Sequence, residues 1–147
     1  MDHSAAAFWY FVGEHTEPTI QEKQVFFDWL TGQYDAIKAI VRFTPSEVNP
    51  AQLKIRYENT GHILTSTAHN DSPWLDKASN AHFRAVHDWH HIQHDLGFDA
   101  DGEHAAYLMA ITSAPKDIHW ILKSEIYLQA AACIETGSFQ PQKLVRC

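Results

Sequence analysis

The stretch "FRAVHDWHHIQHDLG", residues 83 to 97, places four histidines and two aspartates within fifteen residues. Its apolar residues recur at helical spacing, and that period constrains the fold more than any other feature of the chain. Wound at about 100° per residue, residues 82 to 96 gather Ala85, Trp89, Ile92 and Leu96 on one face, with Val86 beside them. His87, His91 and His94 fall on the opposite face, flanked by Phe83 and His90. The Trp89 side is expected to pack and the His87 side to present its imidazoles. His87/His91 at i, i+4 and Asp88/His91 at i, i+3 are neighbours able to share one ligand. Imidazole together with carboxylate suits a divalent zinc, iron or manganese ion, but a histidine-rich helix face is more often simply solvated.

Other segments carry the same helical period. Thr19 with Glu22 forms a capping box, and Phe26, Leu30, Tyr34, Ile37 and Val41 recur behind it, which predicts one long helix, or two broken near Gly32, over 20 to 43. Thr44-Pro45 stops it. Asn49-Pro50 caps a short turn. Leu53, Ile55 and Tyr57 then alternate ahead of Asn59-Thr60-Gly61 and the β-branched "HILTST", which reads as a small β-hairpin near residues 53 to 67. A helix over 80 to 96 ends at Gly97, Asp101 caps the next one, and Pro115 opens a last helix that runs to about Glu135 before Gly137. The expected fold is mainly α, a single compact helical domain over 1–147 with a small hairpin.

In that last helix Ile118, Ile121, Leu122, Leu128 and Ala132 form an apolar stripe, with Glu125 in its middle and Gln129 one turn on. A carboxylate on a packed face is costly unless it is paired, protonated or bound to a metal. Glu103 opens the preceding helix, where a carboxylate also answers the helix dipole, so alone it says little.

Composition narrows the function classes. A formal net charge of -7 disfavours nucleic acid as a partner. The eleven histidines outnumber the two cysteines, Cys133 and Cys147, which do not make a disulfide framework and point to a reducing cytoplasm, the host's if the protein is phage-encoded. The apolar "AAAFWYFV" is eight residues long with no basic segment before it, too short to span a membrane, and is read as core or a packed arm. "DADGE" suggests a calcium loop, but that loop would begin at Gly97 and end at Leu108, without either end ligand. The sequence contains no glycine-rich phosphate loop and no Gly-x-Ser-x-Gly elbow. A ferritin-like di-iron bundle is poorly matched, since only Asp88-x-x-His91 approaches its paired motif.

With "FRAVHD" at 83 to 88, Gly102-Glu103, Glu125 with Gln129, and "FQPQK" at 139 to 143, the chain resembles an uncharacterised domain of phage and bacterial proteins, often found inside very large phage polypeptides. That domain carries FR-x-VHD, a nearby histidine, GE before a helix, E-x-x-x-Q and F-x-x-QK, in this order. The likeness covers roughly residues 25 to 145, and "HILTSTAHNDSPW" resembles its strand and following turn, which brings His69 towards the site. The family's usual Phe-Gly-His is missing: Ile92 stands at the histidine position, leaving His90, His91 and His94 as substitutes. The resemblance implies no established activity; the His-Asp pair offers only a distant analogy to HD-type metal-dependent phosphohydrolases.

Two expectations follow. In the first, a metal-dependent hydrolase-like enzyme uses His69, His87, His91, Glu103 and Glu125 as ligands, with Asp88 and Glu125 catalytic and a small molecule as substrate. In the second, a non-enzymatic accessory or interaction domain uses the same groups as a buried hydrogen-bond network. A solvent-reachable cleft favours the first. Fully paired imidazoles without a cavity favour the second. Oligomeric state leaves no mark in the sequence.

Overall fold

A computed structural model describes residues 2–146, so Cys147 lies outside the described residues. Helix α1 (His3–Val12) is followed by α2 (Ile20–Asp35), strand β1 (Val41–Thr44), α3 (Leu53–Thr60), strand β2 (Ile63–Ser66), α4 (Lys77–Gln93) and α5 (Ala100–Ser113). The last helical region runs as α6 (His119–Leu122), a π-helical segment (Lys123–Leu128) and α7 (Gln129–Thr136). The protein is mainly α, as the periodicities predict. Among the described residues no helix is long and apolar enough to cross a membrane.

The hairpin is replaced by a parallel pair. β1 and β2 run parallel with Val41 opposite Ile63 and Thr44 opposite Ser66, and α3 is the crossover between them. Gly61 explains the difference: at φ 72° it is the left-handed cap of α3, its N–H bonded to the Tyr57 carbonyl, so Asn59-Thr60-Gly61 ends a helix instead of turning a hairpin. Leu53 is buried and Tyr57 packs on the core, while Ile55 is exposed; the relevant spacing is i, i+4, not alternation. The helix expected over 20 to 43 likewise stops at Asp35, and Val41 pairs in the sheet.

The main core joins Phe26, Trp29 and Leu30 of α2 to Phe83, Ala85 and Val86 of α4 and to Ile118, Ile121 and Leu122. Phe26 contacts Trp74 edge-on at 4.7 Å between ring centres. A second cluster packs Ala6, Ala7 and Tyr10 of α1 against Tyr127, Leu128, Ala131 and Ala132. The "AAAFWYFV" arm is therefore a packed helix.

The extended segment 138–146 straps these layers together. Pro141 accepts from the Tyr10 hydroxyl, which in turn accepts from Lys143 N at 3.1 Å. The buried Ser124 hydroxyl bonds both the carbonyl and the N–H of Val145, at 3.0 and 2.9 Å. At the strap's end Arg146 donates to Glu22 at 2.8 Å and lies over the Trp120 ring.

Glu22 also completes the Thr19 capping box and accepts from Trp120 Nε1 at 2.7 Å. Partial burial acts to raise its pKa, but the donors outweigh burial and hold the carboxyl at about 2. A pKa depressed by folding stabilises above the unfolded value of 4.5 and loses that contribution as pH falls towards about 2. Urea denaturation is expected to show Glu22→Gln less stable by on the order of 2 kcal/mol at neutral pH. The gap should close below about pH 4.5; a gap unchanged down to about pH 2 would sink the assignment.

Candidate metal centre

α4 starts at its Asp76 cap, whose side chain accepts from Ser79 N. It carries the two imidazoles to the first turn of α5. His91 is buried, and its Nδ1 lies 3.0 Å from the Leu96 carbonyl. A carbonyl only accepts, so Nδ1 bears a hydrogen, and in the neutral ring Nε2 keeps its lone pair. The Leu96 N–H bonds back to the His91 carbonyl at 3.0 Å, and Phe98 stacks on the ring at 3.9 Å and 7°. The imidazole is thus fixed in tautomer and in plane.

Its Nε2 points at the Glu103 carboxylate, with Oε1 in direct contact. His87 Nε2 lies 2.9 Å from His91 Nε2 and 3.3 Å from the same oxygen. Burial would raise the Glu103 carboxyl, but the two imidazoles outweigh burial and hold it at about 2. Burial works against the charged form of His87 too, and Glu103 overcomes it, raising the His87 pKa. Yet the buried Glu103 Oε1 receives no well-aligned hydrogen bond. Ligand atoms of His87, His91 and Glu103 all lie within 4.8 Å of one another, and this group has the geometry to hold a metal ion. Ligands about 2.1 Å from a tetrahedral ion stand about 3.4 Å apart; the His87–Glu103 separation of 3.3 Å matches this, and the two contacts of His91 Nε2 are shorter and would open by a side-chain shift.

Glu103 reaches this point through a close backbone approach. Asp99, not Asp101, caps α5, accepting from Gly102 N at 2.8 Å, while Asp101 lies in the first turn, 2.6 Å from His3. A Cβ at Gly102 would stand 1.8 Å from the Gly97 carbonyl oxygen. Only glycine lets the first turn of α5 sit this close to the end of α4.

His87 and Glu103 face a cavity of about 340 Å³, walled by Phe83, Phe98, Ile134 and Phe139. A neighbouring cavity of about 400 Å³ shares His87, Arg84 and Phe98 and is lined by Thr65 and Asp88. Asp88 Oδ2 accepts from Thr65 Oγ1 at 2.8 Å, and burial pushes its carboxyl up to about 6. Asp88 follows His87 directly, so its carboxylate leaves the helix beside the ligand group and not in it.

The structure does not bring Glu125 or His69 into the ligand group. Glu125 sits in the π-helical segment with Oε1 accepting from Trp74 Nε1 and Oε2 from Gln142 Nε2, each at 3.0 Å. Both oxygens are engaged, and burial raises its pKa; it lines the wall of the 340 Å³ cavity. His69 stands at the surface, 2.8 Å from Glu47 and stacked on Phe139. Of the three substitutes for the missing histidine, His91 joins the cluster. His94 is exposed at the cap of α4. His90 is buried elsewhere, and burial, then the neighbouring histidines, lowers its pKa to about 4.

Sequence reading overlooked the partners. Gln142 bonds Glu125 and Asn80, and Arg84 donates to the carbonyls of Ser66, Ala68 and His69. Both residues lie in the short motifs quoted above, and pieces of all four motifs line the first cavity: Arg84 and His87, Glu103, Glu125 and Gln129, and Phe139 with Gln142. Compared with known protein families, curated proteins and solved structures, the chain gives no match.

Gly102→Ala is expected to force α5 away from Gly97, costing roughly 2 kcal/mol or more in chemical denaturation. Gly32→Ala, with nothing within 4 Å of its Cβ, serves as the control; equal stability of the two variants would refute the close-approach argument.

Proposed function

We propose that the protein binds a single divalent metal ion through His87, His91 and Glu103 and acts as a metal-dependent, hydrolase-like domain. One observation carries the reading: the His91 Nδ1–H bond to the Leu96 carbonyl aims the Nε2 lone pair at Glu103 and His87. Metal-bound histidines are commonly oriented by such a bond on the other ring nitrogen. Two imidazoles and one carboxylate suit zinc, iron or manganese, and a set of three leaves a coordination position open for water. A bound ion would lower the pKa of that water and stabilise negative charge on a substrate oxygen. Asp88, anchored by Thr65 and lining the adjoining cavity, would accept the water's proton. Glu125 forms part of the wall of the first cavity and positions Gln142.

The network reading keeps support at that wall, where Asn70, Asn80, Gln142, Glu125 and Trp74 form one chain of hydrogen bonds. It does not account for Glu103 Oε1, buried against two ring nitrogens without an aligned donor.

Metal content, measured by mass spectrometry on untagged protein that never met a nickel column, tests the reading. About one equivalent per chain is expected in the wild type, reduced at least ~100-fold in affinity by His91→Ala or Glu103→Gln. Asp88→Asn should retain the metal and lose on the order of 10²–10⁴-fold in any hydrolytic turnover. Glu125→Ala should retain it too, with reduced stability. A metal-free wild type whose ligand variants are merely less stable would leave the network reading in place.

A further inference from the structure

We infer that the cleft takes an uncharged or amino-bearing amide with an apolar side chain, and not a phosphate ester; the assignment rests on the metal centre proposed above.

The charges lining the cleft point this way. Asp88, Glu103 and Glu125 open onto the two adjoining cavities, against Arg84 as the single lysine or arginine in their lining. Arg84 is already committed: Nη1 donates to the Ser66 and Ala68 carbonyls and Nη2 to the His69 carbonyl. Beyond the ion, whose charge its ligand Glu103 would partly offset, a phosphate would find no free cationic clamp and would meet the Asp88 carboxylate, which repels it in a partly desolvated cleft.

The hydrogen-bonding groups agree. Asn80 Nδ2 donates to Asn70 and Gln142, Gln142 Nε2 to Asn80 and Glu125, and Gln129 Nε2 to the Gln140 carbonyl. Thr65 spends its hydroxyl hydrogen on Asp88. Apart from one Gln129 Nε2 hydrogen and His87 Nδ1, these donors serve the protein, whereas Asp88 Oδ1 and Gln129 Oε1 accept no hydrogen bond from the described residues. A cleft offering acceptors selects a ligand that brings N–H groups, as amides and amines do and phosphate esters do not. Phe83, Phe98, Ile134 and Phe139 supply the apolar wall, and about 340 Å³ is at the small end of ligand pockets. In hydrolysis the water oxygen would bond to the amide carbon and the C–N bond would break. One water proton would pass through Asp88 to the leaving nitrogen, giving a carboxylic acid and an amine with nothing oxidised or reduced.

The test is calorimetric binding of phenylalaninamide and of phenyl phosphate to protein whose metal content is measured on the same sample. The amide is expected to bind at least ~10-fold tighter. Ile134→Arg, a half-exposed position in the cavity wall, adds a free cation there and should shift the ratio towards phosphate by ~10-fold or more. If metal is present but phenyl phosphate binds as tightly as the amide, or neither binds, or Ile134→Arg leaves the ratio unmoved, the substrate assignment falls and the metal centre stands. A protein that takes up no metal overturns both.

Discussion

The hydrogen bond from His91 Nδ1 to the Leu96 carbonyl determines what the centre of the molecule presents. It closes the end of α4, fixes the ring tautomer and leaves a lone pair directed at the start of α5. The chain between the two helices is short, so the same bond sets where Gly97 lies, and Gly102 can approach Gly97 only because it has no side chain. Glu103 follows from that approach. A buried carboxylate beside two imidazoles is costly unless something positive is shared among them.

Around this point the fold separates polar groups by what they can still bind. Trp74 packs its ring on Phe26 in the core and sends its N–H to Glu125, tying one wall of the cleft to the main hydrophobic cluster. Arg84 closes the turn after β2 through three carbonyl oxygens. On the cleft side the Asp88 Oδ1 and Gln129 Oε1 oxygens accept no hydrogen bond from the described residues. The cleft therefore inherits the acidic character of the chain as a whole, whose net charge is -7.

The C-terminal strap adds Phe139 and Gln142 to the lining of the cleft. It is extended, so it has no internal ladder of hydrogen bonds, and its polar groups are satisfied by α1, the π-helical segment and α2 in turn. Gln142 rides on it and reaches both Asn80 and Glu125. Elements far apart in sequence thereby share one hydrogen-bond chain, and removing any member leaves another buried group without a partner.

Much of this was legible in the residues. Helical spacing around His87 and His91, the Thr19–Glu22 capping box and the helix end at Gly137 follow from local rules that act within a few residues, and all three hold in the structure. Where a local signal served two purposes, tertiary packing decided. Gly61 suits a hairpin turn and a helix cap equally, and burial of Leu53 and Tyr57 on one face selected the cap. Glu125 was marked by its place in an apolar stripe, but only the fold shows that Trp74 and Gln142 occupy its oxygens. The family resemblance brought His69 towards the site, yet the turn after β2 sends it outward to Glu47. By itself, then, the sequence determined a mainly helical chain with His87 and His91 on one helix face, because a 3.6-residue period is a property of neighbouring residues. Tertiary structure alone kept Glu103 as their companion and set His69 and Glu125 apart, because that choice depends on how closely two helix ends can approach.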